Sequence, residues 1–221
     1  MKNRILTLLL LVGVVYASLV IVPKLNAIRL PDNHRDFQPE QPIAYSHRLH
    51  AGELQIDCEY CHSGARRSRH AGIPSAEVCM NCHSYVTSTR AQVRAAEAEA
   101  EANGQTPPTK VMSPEIRKLY DAFDLTDEGE ARGGETKPIE WVRIHQLPDF
   151  AVFDHRPHVA AEVPCQKCHG PVETMERVRQ TESLSMGFCV NCHRIPAADS
   201  GALVSASEHP QASTDCATCH Y

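Results

Sequence analysis

The chain has 221 residues, a formal net charge of −5 and a pI near 6.2, which leaves room for one modest domain or two small ones. Because basic residues are not in excess, the composition gives no indication of nucleic-acid binding, and we expect none. Ten cysteines form five Cys-x-x-Cys pairs, a His follows every pair, and no cysteine is left over. Chance does not produce this pattern in a chain of this composition.

The chain opens with an apolar segment. Residues 5–22 are eighteen residues without a charge, two basic residues precede them, and Pro23 closes the run. This length is just sufficient to cross a bilayer core as a helix, so we expect residues 1–23 to form an uncleaved N-terminal transmembrane anchor. A signal peptide cut after Ala17 is the alternative. In either case we expect the rest of the chain, its body, to be exported. The polar, proline-containing residues 24–44 are expected to form an extended lead segment that runs away from the membrane.

The Cys-x-x-Cys-His motifs predict five covalently attached c-type haems. Two cysteines three positions apart lie on one side of a helical turn, where both can form thioethers with one haem, and the adjacent His supplies the proximal nitrogen to the iron. The cysteines are Cys58, Cys61, Cys79, Cys82, Cys165, Cys168, Cys189, Cys192, Cys216 and Cys219, and the proximal histidines are His62, His83, His169, His193 and His220. Zinc sites or disulfides are the alternatives. The odd number of pairs and the His after each pair favour haem.

The first and third motifs follow the same leader, which predicts an internal repeat. Residues 45–62 read YSHRLHAGELQIDCEYCH and residues 153–169 read FDHRPHVAAEVPCQKCH, and a further motif follows each of them. Both segments contain an aromatic residue, then His-x-x-His, then a short stretch of mixed composition before the motif. We therefore divide the body into a first two-haem region at 45–86, a helical insertion and linker at 87–140, and a three-haem region at 141–221.

Two helices are predicted in the insertion. Residues 87–103 are rich in Ala and Glu and stop at Gly104, which is typical of a solvated helix. Ser113 followed by Pro114 marks the start of the second helix. Its apolar residues share one face at helical spacing: Ile116, Leu119, Tyr120 and Phe123. Residues 126–137 are predicted to form a charged loop.

Residues outside the motifs are candidates for the sixth position of each iron. The favoured distal ligands are His47, His50, His145, His155 and His158, and the weaker candidates are His70 and Met186. His47 and His155 stand eleven and ten residues before a haem cysteine. The second His of each His-x-x-His points another way, so we expect it to reach a neighbouring haem. His209 is weaker still, and His34 is expected to be solvated.

The expected fold class is mostly α-helical and irregular: an N-terminal transmembrane helix followed by a multihaem cytochrome c domain. The body has too few residues per haem for an ordinary hydrophobic core. We therefore expect short helices and loops packed around five haems, with almost no sheet. With the surplus of histidines, a protein ligand on both faces of each iron favours electron transfer over substrate binding.

The His-x-x-His and Cys-x-x-Cys-His pattern resembles the class III multihaem cytochromes c. Longer segments resemble the pentahaem cytochrome subunit of alternative complex III, a bacterial quinol-oxidising membrane complex: AGIPSAEVCMNCH, PIEWVRIHQLPDFAVFDHRPHV, CQKCHGPVETMERV and LSMGFCVNCHR. The resemblance implies electron transfer through five haems to a periplasmic cytochrome or a terminal oxidase. It also implies a haem domain on the periplasmic side of the bacterial inner membrane. The implied partners are an iron–sulfur protein, polytopic quinol-binding subunits and a monohaem cytochrome c.

Two other functions remain open at this level. A single-anchor multihaem quinol dehydrogenase of nitrate or nitrite respiration has a similar length, but such proteins place a Met just after the first haem His, and CEYCHSGARR has none. A multihaem reductase needs an iron with an open position, which the surplus of histidines disfavours. We expect the chain to serve a quinol-linked oxidoreductase complex without being catalytic on its own. A related quinone-reducing complex uses a similar haem subunit in the opposite direction.

Overall fold

The computed structural model describes residues 2–26, 34–195 and 212–220. Its helices are α1 (Lys2–Asn26), α2 (Cys58–Cys61), α3 (Ala76–His83), α4 (Arg90–Ala102), α5 (Pro114–Ala122), α6 (His155–Ala160), α7 (Gln166–His169), α8 (Met186–His193) and α9 (Cys216–Cys219), with a π-helical segment at Arg48–Glu53 and a 3-10 turn at Val172–Thr174. Within these described ranges the β-structure is one isolated antiparallel bridge, between Leu125 and Ala131. The predicted helical and irregular fold class is confirmed.

Helix α1 is the apolar N-terminal segment. Arg4–Ile21 has a mean hydropathy of 2.4 and is long and apolar enough to cross a membrane, a test that a signal sequence also passes. The helix continues through Pro23 to Asn26, three residues beyond the end that the sequence predicted. Proline lacks an N–H, so it removes one helical hydrogen bond, and here it does so without ending the helix.

Part of the predicted lead folds back onto the body. The Asp36 N–H donates to the Gln180 carbonyl at 2.8 Å, and the Gln180 N–H donates to the Phe37 carbonyl at 3.2 Å. His34, predicted to be solvated, is only 4% exposed, and its ring packs edge-on to Phe37 at 5.6 Å. Residues 27–33 of this lead and His209 lie outside the described residues.

Both predicted insertion helices are confirmed, and the second one is anchored to a haem motif. Helix α4 begins at a capping box in which Thr89 and Gln92 exchange side-chain-to-backbone hydrogen bonds. Helix α5 begins after Ser113, whose hydroxyl accepts from the third residue of the helix. Its buried Tyr120 donates its hydroxyl hydrogen to the His83 carbonyl at 3.0 Å. The insertion therefore packs against the C-terminal end of α3.

The hydrophobic side chains of the polypeptide form little core of their own. In the described part of the chain, the buried hydrophobic residues are Ala65, Ala100, Leu119, Tyr120 and Met175. A body of this size normally buries far more apolar surface when it folds alone. The thin core agrees with a fold arranged around large prosthetic groups.

The two His-x-x-His segments follow the same backbone path, but the first has one more residue between its second His and the motif. In α6 the Ala161 N–H donates to the Pro157 carbonyl four residues back, whereas in the π-helical segment the Leu54 N–H donates to the Leu49 carbonyl five residues back. A π turn absorbs one inserted residue. After it, both segments pass through a left-handed residue, Gln55 with φ 54° and Glu162 with φ 55°, and enter the Cys-x-x-Cys turn in the same way.

The π-helical segment also forms the contact between the two haem regions. The Arg48 N–H donates to the Met175 carbonyl at 2.9 Å, and the Ser46 hydroxyl donates to Glu176 at 2.9 Å. A Cβ at Gly52 would lie 2.2 Å from the Glu173 carbonyl oxygen. Only glycine permits this close approach, so the two regions meet backbone to backbone.

Candidate haem sites

Every Cys-x-x-Cys pair lies on a helical turn, as thioether attachment to one haem requires. Three of these turns are single-turn helices, and the first and fifth are capped by an aspartate: Asp57 accepts from the Glu59 N–H and Asp215 from the Ala217 N–H. Helices α3 and α8 carry the second and fourth pairs and have eight residues each. All ten cysteines are free. The chain thus presents five pairs of thiols on rigid turns.

Four of the five motif histidines face a His-x-x-His imidazole. The ring centroids of His47 and His62 are 6.5 Å apart with planes 4° from parallel, and those of His155 and His169 are 6.3 Å apart at 7°. The other two pairs are His50 with His83 at 6.0 Å and His158 with His193 at 5.9 Å. An iron between two imidazoles needs ring centres roughly 6 Å apart, since each metal–nitrogen bond is about 2 Å and each nitrogen lies about 1 Å from its ring centre. The four pairs fit a bis-His iron.

Hydrogen bonds fix which nitrogen each imidazole can offer. A ring Nδ1 lies within hydrogen-bond distance of a backbone carbonyl in His50, His62, His83, His155, His158, His193 and His220, at 2.6 to 3.0 Å. A histidine that ligates a metal usually donates its other N–H in this way. The Nε2 lone pair is then free to bind the iron. His47 is an exception, with a buried Nδ1 that has no hydrogen-bond partner.

Burial favours the neutral, metal-binding form of two of the paired rings, His47 and His169. It lowers the pKa of His47 to about 4, with smaller contributions from His62 and His50. It lowers the pKa of His169 to about 3, where His145 and His155 also contribute. Neutral imidazole is the form that ligates a metal.

One aromatic ring lies between the two imidazoles of each His-x-x-His. Tyr45 contacts His47 at 4.8 Å and His50 at 4.4 Å between ring centroids. Phe153 contacts His155 at 4.8 Å and His158 at 4.5 Å. The repeated sequence therefore builds the same cluster twice, and each cluster serves two motifs.

The fifth motif has different surroundings. The His220 Nδ1 lies 3.0 Å from the Phe150 carbonyl, and the Phe150 ring stacks on the imidazole with centroids 6.0 Å apart. Two of the weaker candidates for a distal ligand, His70 and Met186, are exposed in the structure. Their placement singles out neither of them for this site.

His145, the fifth favoured distal ligand, lies against His169. The two ring centroids are 4.4 Å apart with planes at 79°, which is too close to hold an iron between them. The His145 Nε2 is 3.3 Å from the His169 Nδ1. Burial, with a smaller contribution from His155, lowers the pKa of His145 to about 4, so the ring is neutral and can accept a hydrogen bond.

Comparison with known proteins agrees with haem attachment at these motifs. Residues 151–221, which hold the third, fourth and fifth motifs, match the family of cytochrome c7 and related cytochrome c. This segment is a cytochrome c7-like multihaem domain. A domain of this type carries covalently bound c-type haem and functions in electron transfer.

A longer stretch of the chain is similar to a multihaem cytochrome c subunit of another protein. The chain is 26% identical over 132 residues to the "Menaquinone reductase, multiheme cytochrome c subunit" of Nitratidesulfovibrio vulgaris strain Hildenborough. The aligned part is 60% of this chain and 47% of the relative. The chain thus spans about half the length of this curated relative.

Further contacts join the c7-like domain to the first region beside the first and third motifs. The His155 Nδ1 lies 2.8 Å from the Arg69 carbonyl, in the loop after the first motif. Burial raises the pKa of the Cys58 thiol, and the neighbouring Cys165 thiol adds to this effect through charge and a hydrogen bond. The first and third motifs are therefore neighbours, on the side where Gly52 meets Glu173.

The remaining neighbours follow the chain order. Tyr60, between the first two cysteines, accepts a hydrogen bond at 3.1 Å from Asn81 of the second motif. The third and fourth motifs share Phe153 through their facing imidazoles. The His193 Nδ1 of the fourth motif lies 2.8 Å from the carbonyl of Ser213, three residues before the fifth. Contacts thus connect the motifs in the row second, first, third, fourth, fifth.

The haem number can be measured directly. Protein matured by a host with a complete cytochrome c assembly system is expected to have an intact mass equal to the chain plus five haems, because five motifs are complete. Replacing Cys79 and Cys82 with alanine should remove one haem. Four or fewer haems in the unaltered protein would contradict the prediction. The same spectrum shows whether the segment before Ser18 has been cleaved off.

Proposed function

We propose that the chain holds five c-type haems and conducts electrons as the pentahaem subunit of a quinol-oxidising membrane complex of the alternative complex III type. The observation that carries this proposal is the set of four facing imidazole pairs at a spacing that fits one iron each. The motif cysteines would attach the haems. The motif histidines would supply the proximal ligands, and His47, His50, His155 and His158 the distal ones.

The residues favour conduction over catalysis. Haem in these sites would supply one-electron transfer, and in the four paired sites a protein ligand on each face would leave no position for a substrate. Backbone carbonyls hold most of the ligand rings in fixed orientations through Nδ1, which limits the reorganisation that a change of iron charge demands. The chain's part is to fix the orientation of the rings.

The row of motifs supports a single conducting path. With haem in all sites, electrons would pass through the second, first, third, fourth and fifth sites in that order, or in reverse. The second site lies beside the insertion, where Tyr120 binds the His83 carbonyl. The fifth lies at the other end of the row. These two ends are the places where electrons would be exchanged with partners.

The complex and its location are part of the same proposal. Helix α1 would anchor the chain in the bacterial inner membrane, with the haem domain on the periplasmic side. The partners would be an iron–sulfur protein, polytopic quinol-binding subunits and a monohaem cytochrome c or a terminal oxidase. A relative that bears the name of a menaquinone reductase subunit supports assignment to a quinone-linked complex. It also makes a quinone-reducing complex the second candidate, with electrons moving in the opposite direction.

Quinol chemistry is assigned to partner subunits because helix α1, the described segment that could cross the membrane, offers no site for it. Residues 5–22 contain no ionisable group except Tyr16, whose side chain is 69% exposed on a single helix. A quinone site needs a sheltered pocket and a base that accepts protons when quinol is oxidised. A lone helix provides neither.

The test is to place the purified chain in lipid and mix it anaerobically with a quinol analogue. Haem reduction is expected to be slow or absent, and to become fast when the partner subunits are added. The matched control is a small soluble reductant, which should reduce the haems of the isolated chain completely. Fast, saturable reduction by quinol without partners would contradict the proposal and favour the single-anchor quinol dehydrogenase.

A further inference from the structure

The environment of His169 differs from that of the other motif histidines. In His62, His83, His193 and His220 the Nδ1 lies beside a backbone carbonyl. In His169 it lies 3.3 Å from the Nε2 of another imidazole, that of His145. A side chain thus takes the position that a peptide carbonyl occupies elsewhere.

The geometry separates His145 from the axial ligands. His169 has two imidazole neighbours: His155 is nearly parallel to it at 6.3 Å, whereas His145 is edge-on at 4.4 Å. Because Nδ1 faces His145, Nε2 is the nitrogen left for a metal. A metal-bound imidazole carries its proton on the other nitrogen, so the His169 Nδ1–H donates and the His145 Nε2 accepts.

The surrounding loop holds His145 in this position. The Arg143 guanidinium donates through Nε to the His145 carbonyl at 2.9 Å, which fixes the backbone of the residue. The Val142 N–H and carbonyl are both bound by the Gln41 side chain at 2.9 Å. The loop is therefore attached to the lead segment.

We propose that His145 is a positioning residue for the third site, which accepts the Nδ1 proton of His169 in a hydrogen bond and does not bind iron itself. This inference rests on the proposed role of His169 as a proximal ligand. An imidazole nitrogen is a stronger base than a peptide carbonyl oxygen, so it draws the proton further from His169. The ligand then donates more electron density to the metal, which stabilises the oxidised iron and lowers the reduction potential of this site.

The test compares three variants of the full haem-loaded chain: His145→Ala, His145→Gln and Val142→Ala. In His145→Ala, all haems should stay low-spin by electron paramagnetic resonance, and one of them should become easier to reduce. At a fixed potential, its oxidised-to-reduced ratio is expected to fall about tenfold, which corresponds to about 59 mV for one electron. A factor of about ten is the lower end of the loss in metal affinity or activity that follows when a metal ligand loses its hydrogen-bond partner.

The other variants distinguish positioning from general damage. The amide oxygen of Gln can accept the same hydrogen bond but is a weaker base than imidazole, so the potential of the third site in His145→Gln should lie between its values in the unaltered protein and in His145→Ala. Val142→Ala alters an exposed side chain of the same loop and should leave every potential unchanged. Intact mass verifies that each variant retains all its haems.

Two outcomes would overturn the inference. A high-spin haem in His145→Ala would mean that His145 is an axial ligand. Unchanged potentials and spectra would mean that the contact with His169 has no effect on the site. Neither outcome bears on the haem count or the quinol test, so failure here is separate from failure of the proposed function.

Discussion

Replacing His155 with alanine is expected to convert one haem from low-spin to high-spin, and His47→Ala should do the same for another. Each ring is nearly parallel to a motif histidine at a separation that fits an iron, so its loss opens the sixth position. The free energy of unfolding should fall by about 2–5 kcal/mol, the cost of truncating a large packed side chain. Magnetic spectra and chemical denaturation measure the two effects.

Two matched variants separate ligation from packing. His155→Met retains a group that can ligate, so the haem should stay low-spin while its potential rises. Val159→Ala shortens another side chain of α6 and should leave all spin states unchanged. If His47→Ala and His155→Ala both leave every haem low-spin, another residue occupies the distal positions.

Much of this fold could be predicted because its signals are local. Helix α4 was predicted from its Ala- and Glu-rich composition and its stop at Gly104, and α5 from its start signal and helical spacing. Both helices are present in the structure, with caps at Thr89 and Ser113. The repeated His-x-x-His leader predicted two similar clusters, and the ring geometry agrees with the expectation that its second His reaches a neighbouring site. Ligation itself remains a prediction.

The features that sequence did not predict depend on contacts between distant segments. His34 is buried because the lead pairs with residue 180, and no local pattern indicates that contact. His145 was predicted to be a distal ligand because five irons need five partners, and that prediction is not tested by the structure. Its edge-on position depends on how the loop reaches His169, which no local pattern indicates. The π turn accommodates the extra residue of the first repeat. That residue can be seen in the sequence, but the sequence alone does not show which backbone geometry accommodates it.

Removing the third motif is expected to divide the row of sites into two isolated pairs. The third motif is the place where the two haem regions meet, since its segment contacts the first motif through Gly52 and through His155. In Cys165→Ala with Cys168→Ala, the second and first sites remain on one side of the gap and the fourth and fifth on the other. Electron transfer across the gap should slow by orders of magnitude, because its rate falls steeply with distance.

A light-triggered reductant attached at Tyr85→Cys can test this division. Tyr85 is 87% exposed and lies two residues after the second motif, so the label delivers electrons to that end of the row. After a flash and rapid freezing, two ferric signals should lose intensity in the variant without the third motif. The matched control, Cys216→Ala with Cys219→Ala, also has four haems but an unbroken row, and all four signals should lose intensity. Mass must first verify four haems in each protein. Loss of all four signals in the protein without the third motif would mean that a second path joins the halves, and the proposed order would be wrong.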